Sequence, residues 1–112
     1  MAAWAHARDA MQDLMEDPAR AAAEYDGFFG RTTVQDTVNR FLGFDLLVHG
    51  WDIARATGGD EKLPPEEVRA MIDDLDSWGE AIRSEGVCGP AVPVPDDAPG
   101  QDRLIAFLGR TP

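Results

Sequence analysis

The chain has 112 residues, of which 44% are hydrophobic, and its 10 basic and 21 acidic side chains give a formal net charge of -11. This length supports one domain with a single core, and the negative charge disfavours binding to nucleic acids or anionic membrane surfaces. No apolar run approaches the roughly 20 residues that a membrane-spanning helix needs, and the N-terminus lacks a secretory signal. We therefore expect a cytoplasmic protein, and its single cysteine suits a reducing compartment.

The first third of the chain predicts a helix over residues 2–16, which Pro18 ends. Apolar residues recur along this helix at helical spacing, namely Trp4, Ala7, Met11, Leu14 and Met15. A short helical turn over residues 21–24 follows. After it we expect a loop that Phe28 and Phe29 anchor.

A long central helix is predicted over residues 34–57. Thr33 and Asp36 form a capping arrangement at its start, and Gly58 ends it. From Phe41 to Ala54 the sequence is apolar nearly all round the helix, which is typical of a buried helix. Gly43 and Gly50 share a face with Leu47 and Ala54, so we expect a close neighbour on that face.

The last third begins with Pro64 and Pro65, a strong helix start. A helical stripe then runs to Gly86 and consists of Val68, Met71, Ile72, Leu75, Trp78 and Ile82. Four prolines within residues 87–100 predict an extended segment. A short final helix over residues 101–108 should bury Leu104, Ile105 and Leu108 and stop at Gly109. The predicted fold class is all-α.

Three polar residues interrupt the predicted apolar stripe of the central helix, namely Asp45, His49 and Asp52. Their spacings of four and three residues place them on one helical face, where neighbouring Cβ atoms lie about 5–6 Å apart. A buried charge needs a partner, and Arg40 and Arg55 lie off that face. Carboxylate and imidazole ligands suit Zn(II), Ni(II) or Fe(II). Asp52 is either a third ligand or the residue that orients His49.

A purely structural role for the same residues stays open, because an Asp-x-x-x-His spacing alone is a weak signal. In that interpretation, Asp45 and His49 pair with side chains of neighbouring helices. His6, the only other histidine, lies among acidic residues and is predicted to be solvated. Cys88 is interpreted as an ordinary partly buried thiol, with a nucleophilic role as the alternative.

Five blocks of the sequence carry a resemblance to a known family: residues 29–33, 42–58, 63–66, 92–99 and 109–112. They resemble actinobacterial metal-binding proteins of the DinB-like superfamily, and most of all the mycothiol-dependent maleylpyruvate isomerase metal-binding domain. The resemblance implies a four-helix bundle in up-down-down-up order. Residues 1–112 would form a single partial domain, the C-terminal part of that bundle. In the family an early His and an acid-x-x-x-His pair hold the metal, and the pair maps onto Asp45 and His49.

The resemblance also implies a function, a cofactor and partners. The family is thiol-dependent, with a divalent transition metal, zinc first and nickel or iron as alternatives, and mycothiol or a similar small thiol as cosubstrate. The partner would be a small electrophilic substrate, in an isomerase or S-transferase reaction. The helix that supplies the first His has no counterpart here, and His6 does not match it. Whether the chain is an enzyme is therefore left open.

Two expectations follow from the missing helices. An apolar face of the central helix should lie uncovered, so we expect a homodimer that covers this face. The alternative function is a non-enzymatic half-bundle or self-associating interaction module. A further alternative is a misassigned start codon, with the encoded protein continuing upstream.

Overall fold

The computed structural model describes all residues, 1–112, and is mostly helical with one small sheet. In chain order the elements are α1 (Ala2–Glu16), α2 (Pro18–Ala21), β1 (Glu24–Gly27), β2 (Gly30–Thr33), α3 (Val34–Thr37), a π-helical turn (Val38–Leu42), α4 (Gly43–Thr57), α5 (Pro65–Trp78), a 3₁₀ turn (Gly79–Arg83) and α6 (Gly100–Phe107). The chain divides into two compact units, residues 1–45 and 46–112. No helix has the length and apolar character needed to cross a membrane.

Helix α1 has the predicted bounds, but it buries none of its residues. Trp4 is 60% exposed and Met11 is 42% exposed, so the apolar side of this helix is open. The next helix, α2, starts because Asp17 caps it: its Oδ1 accepts hydrogen bonds from the backbone N–H groups of Ala19 and Arg20. Pro18 occupies the first helical turn, where its missing N–H has no cost.

The region between α2 and the central helix is a β-hairpin, so the predicted helical turn and loop are wrong beyond Ala21. Strands β1 and β2 pair antiparallel, from Glu24 opposite Thr33 to Gly27 opposite Gly30. Phe28 and Phe29 form the two-residue connection, and Gly30 has a φ of 107°, which favours glycine. Sequence reasoning missed the hairpin because its connection carries aromatic residues instead of the usual Asn-Gly or Asp-Gly.

The central helix runs from Val34 through Thr57, as predicted, but a π-helical turn interrupts it at Val38–Leu42. Both predicted ends are confirmed. The Thr33 hydroxyl accepts a hydrogen bond from the backbone N–H of Asp36 at 3.2 Å, and Gly58 has a φ of 71°.

The predicted burial of the central helix on nearly all sides is wrong. In the second unit, Val48 and Trp51 are buried at 1% and 5% exposure, but Leu46 is 77% and Ile53 is 64% exposed. A Cβ added at Gly43 or Gly50 would meet no atom within 4 Å, so no close neighbour packs there. Since the sequence is apolar on every side, its periodicity cannot tell which face is covered.

The core of the second unit joins α4, α5 and α6. Its most buried side chains are Val48, Ile82, Leu104, Ile105 and Leu108, each at no more than 1% exposure. The three predicted core residues of the last helix are therefore confirmed, and its observed span, Gly100–Phe107, lies within one residue of the prediction. Residues 88–99 have no regular helix or strand except a turn, as the prolines require.

Two polar side chains form hydrogen bonds to backbone groups in the irregular segments of the second unit. Arg83 donates to the carbonyl oxygens of Gly89 and Phe107, both at 2.6 Å. Gln101 donates through Nε2 to the Glu61 carbonyl at 2.9 Å and accepts from the Leu63 N–H at 2.8 Å. The 3₁₀ turn and α6 thereby each supply a side chain that satisfies backbone groups outside their own span or at the end of α6.

The core predicts a contrast between two apolar residues. Ile105→Ala should lower the free energy of unfolding by about 2–5 kcal/mol, because Ile105 is fully buried and its truncation leaves a cavity. Leu46→Ala, at a side chain that is 77% exposed, should change it by no more than about 0.5 kcal/mol. Urea unfolding followed by circular dichroism measures both, and equal losses would contradict the burial described above.

Candidate functional site

The end of α6 directs Arg110 toward α4. Gly109 has a φ of 83°, and its N–H donates to the Ala106 carbonyl while the Arg110 N–H donates to the Ile105 carbonyl at 3.1 Å. This is a helix ending of the Schellman type, which reverses the chain at a glycine. A Cβ at Gly109 would lie 3.0 Å from the carbonyl oxygen of Gly89, so the backbones approach closely there. Only glycine fits this position without strain.

Arg110 binds Asp52 of α4 through two parallel hydrogen bonds. Its Nε donates to Oδ1 at 2.6 Å and its Nη2 donates to Oδ2 at 2.8 Å. Its third nitrogen, Nη1, donates to the Leu108 carbonyl at 3.1 Å. The side chains of Arg110 and Asp52 are 24% and 35% exposed, so the pair is partly shielded from solvent. Bidentate Arg–carboxylate pairs of this kind are the strongest and best-oriented ion pairs in proteins.

The electrostatics of the pair hold Asp52 ionised. The Arg110 hydrogen bonds lower the pKa of Asp52 below its usual 3.8; partial burial opposes this, and His49 lowers the pKa further. Asp52 in turn raises the pKa of Arg110, with a smaller contribution from Cys88 near the guanidinium. Asp52 is therefore a carboxylate, and a hydrogen-bond acceptor only, throughout the neutral range.

Asp52 also orients His49, one turn earlier on α4. The Nδ1 atom of His49 lies 3.2 Å from Asp52 Oδ2, and the imidazole side chain is 62% exposed. Because a carboxylate only accepts hydrogen bonds, the Nδ1 proton is donated to Asp52. In the neutral imidazole the lone pair then resides on Nε2. That nitrogen is the one available to an external ligand.

Arg55 ties the same part of α4 to the C-terminal residues. Its guanidinium donates to the Thr111 carbonyl at 3.2 Å, pairs with Glu61 at 2.8 Å and lies 4.6 Å from the centre of the Trp51 ring. Together with Arg110, it fixes the turn of α4 that carries Asp52. The orientation of His49 thus depends on contacts far away in sequence.

The structure places the three predicted metal ligands differently from one another. His49 and Asp52 are brought together, whereas Asp45 is exposed in the preceding turn of α4 and its carboxylate has no hydrogen bond or ion pair. No group of three or more His, Cys, Asp or Glu residues is arranged to hold a metal ion. The expectation of a buried polar sector is wrong, since Asp45 and His49 are exposed and Asp52 is half-buried. Of the three, only Asp45 and His49 therefore lie on the exposed side of α4.

Sequence reasoning missed Arg110, which lies 58 residues from Asp52. Gly109 did give a local signal, because a glycine just after a short helix predicts that the helix ends there. Such an ending also fixes the direction in which the chain continues to the next residue, Arg110. No nearby residue indicates that Asp52 is the partner of Arg110, because the two lie 58 positions apart. His6 is exposed as predicted, and Cys88 is a free, half-buried thiol.

Comparison with known proteins identifies relatives but no activity. "Uncharacterized protein MT0763" of Mycobacterium tuberculosis strain CDC 1551 / Oshkosh and "Uncharacterized protein Rv0738" of strain H37Rv are each 38% identical to the chain over 76 residues. The matched region is 63% of this chain, and the chain spans 42% of the length of each relative. No family model matches, and no solved structure matches. The resemblance to the DinB-like superfamily stays a prediction.

The Asp52–Arg110 pair predicts a pH-dependent contribution to stability. Folding lowers the pKa of Asp52, so in acid the unfolded chain binds more protons than the folded chain. The stability that the ion pair contributes is therefore present at neutral pH and is lost as the pH falls below about 4. Asp52→Asn should lower the free energy of unfolding by about 1 kcal/mol at pH 7, a value that reflects the partial exposure of the pair. When urea unfolding is repeated at pH 3, the free energies of unfolding of the variant and the wild type should lie closer together.

Asp76→Asn is the matched control, because Asp76 is exposed on α5 and has no ion pair. Its stability should match wild type at both pH values. Arg110→Gln should reproduce the loss of stability of Asp52→Asn at pH 7. The double variant Asp52→Asn/Arg110→Gln should lose less stability than the sum of the two single variants. Strict additivity would contradict a direct Asp52–Arg110 interaction.

Proposed function

We propose that His49 is a ligand of a divalent transition metal in a partial site on α4. The observation that carries this proposal is the hydrogen bond from Nδ1 to Asp52, whose charge Arg110 maintains. Metal-binding histidines almost always donate their second ring N–H to a carboxylate or carbonyl, which fixes the ring and makes the other nitrogen more basic.

The donor set fits a metal in part. Both oxygens of Asp52 are engaged by Arg110, so Asp52 suits the orienting role better than the ligand role. Asp45, four residues before His49, remains the second ligand predicted from spacing. An imidazole and a carboxylate favour Zn(II), with Ni(II) and Fe(II) as alternatives. Catalytic zinc sites normally have three protein ligands, so two leave the site incomplete.

The corresponding activity is thiol-dependent isomerisation or S-transfer, which rests on the sequence resemblance. A bound metal would lower the pKa of a small thiol such as mycothiol, so that the thiolate adds to an electrophilic substrate. The chain's own part is to hold and orient His49. Since the chain spans 42% of each relative, the substrate and partners of the whole protein are likewise proposals.

A metal titration of the untagged chain tests the proposal. Isothermal titration with Zn(II), and Co(II) absorption spectra, should detect one site in the wild-type protein. His49→Ala should weaken binding at least about tenfold because the imidazole ligand is lost. Asp52→Asn should weaken it about 10- to 100-fold, the usual effect of losing an orienting partner. Asp45→Asn should also weaken it if Asp45 is a ligand.

The second histidine supplies the control. His6→Ala, in exposed α1, should bind zinc as the wild type does. Circular dichroism establishes that each variant is folded before its affinity is compared. Unchanged zinc affinity in His49→Ala, or a loss in His6→Ala equal to that in His49→Ala, would refute the proposal.

One observation favours self-association as a second function. Leu46 and Ile53, seven residues apart on α4, flank His49 on one helical face and are 77% and 64% exposed. Their exposure leaves an apolar surface around a polar group, as interaction sites do. We propose that a second copy of the chain covers this face. The half-bundle would then be an interaction module, with or without metal.

Sedimentation equilibrium tests the association. Wild type should form dimers at high protein concentration, and the association should strengthen with added salt, which screens the repulsion between chains of charge -11. The double variant Leu46→Glu/Ile53→Glu should stay monomeric. Val87→Glu, at an apolar residue that is 52% exposed elsewhere, should associate as wild type does. A monomeric wild type at millimolar concentration would count against this function.

A further inference from the structure

A second candidate site lies between α5 and α6, apart from the His49 face. It is a cleft of about 320 Å³ within the second unit, at the lower end of the range for small-molecule sites. Its apolar wall comprises Leu63, Pro65, Val68 and Ile72. Gly100 contributes no side chain, so the two helices leave a space between them.

The walls of the cleft are held in place by Gln101. Its amide group bonds to the backbone of Glu61 and Leu63 at 2.9 and 2.8 Å, and both bonds are partly buried. The loop before α5 is thereby fixed to the first turn of α6. Val68 is buried at 5% exposure and anchors the opposite wall. A ligand would therefore enter a preformed space and lose little affinity to ordering the protein.

The charge at this cleft is opposite to that of the whole chain. Arg69 and Arg103 both line it, and no acidic residue does, although the chain has 21 acids and 10 basic residues. Neither guanidinium takes part in an ion pair. A neighbouring cleft of about 300 Å³, between α6 and residues 91–96, also contacts Arg103 but includes Asp96. The α5–α6 cleft therefore combines a positive rim with an apolar wall.

We propose that this cleft binds a small monocarboxylate with an apolar body. The carboxylate pairs with Arg69 and Arg103, since guanidinium groups bind carboxylates through parallel, charge-assisted hydrogen bonds. The apolar body lies against Val68 and Ile72, where it loses contact with water. The cleft volume limits the body to roughly the size of one ring or a short chain.

Benzoate is the probe, and ¹H–¹⁵N NMR spectra of the full chain are the measurement. Benzoate should shift the backbone signals of Leu63, Val68, Ile72 and Gln101 in a saturable manner. Benzamide has the same shape without the charge, and acetate has the charge without the ring. Each should bind about tenfold more weakly or worse, because each lacks one of the two interactions.

Three variants separate the contributions of charge and space. Arg69→Gln/Arg103→Gln should raise the Kd for benzoate at least about tenfold. Gly100→Ala should also raise the Kd while the chain stays folded, since the added Cβ meets Ile72 Cδ1 at 3.7 Å, an ordinary contact. Arg20→Gln is the control for loss of an exposed arginine outside the cleft and should bind like wild type.

The proposal is overturned by any of three results. Wild type shows no saturable shifts at about 10 mM benzoate, a concentration that half-fills a site with a Kd as weak as about 10 mM. Benzamide or acetate binds as well as benzoate. The shifts map to Val92, Val94 and Ala106 of the neighbouring cleft, or persist unchanged in the double arginine variant.

Discussion

The ion pair between Asp52 and Arg110 is the interaction on which the geometry around His49 depends. It joins α4 to the residues after α6 across 58 positions of sequence, and it is reinforced by the bond from Arg55 to the Thr111 carbonyl. A partly buried carboxylate would be costly alone, but two short hydrogen bonds from a guanidinium offset that cost. The same carboxylate has room for one more donor, and His49 supplies it. The ring orientation of His49 is thus set by the C-terminal residues.

Much of the helical structure was predictable because its signals are local. Thr33, Pro65, Gly58 and Gly109 act within one turn of their own positions, where a capping hydroxyl, a fixed φ or a positive φ decides the backbone. The final helix was predicted almost to the residue for the same reason. These signals need no knowledge of the neighbours.

The features that sequence reasoning missed all require such knowledge. The hairpin depends on pairing between residues 24–27 and 30–33, and its Phe28-Phe29 connection gives no turn signal. The covered face of α4 depends on where α5 and α6 lie, because Leu46, Val48 and Ile53 are equally apolar in sequence. The sequence around Arg110 does not indicate which residue it pairs with. Its pairing with Asp52 is decided by the fold.

The two proposed roles of the α4 face are physically coupled through His49. A second chain that covered Leu46 and Ile53 would bury the imidazole between them, and its Nε2 would then need a partner in place of water. In the proposed site, a divalent cation would satisfy that nitrogen. It would also offset part of the repulsion between two chains that each carry a formal charge of -11. Covering the face would in turn exclude water from the ion and strengthen its bond to the imidazole. An orienting carboxylate beside an exposed histidine and an uncovered apolar surface are therefore compatible parts of one site.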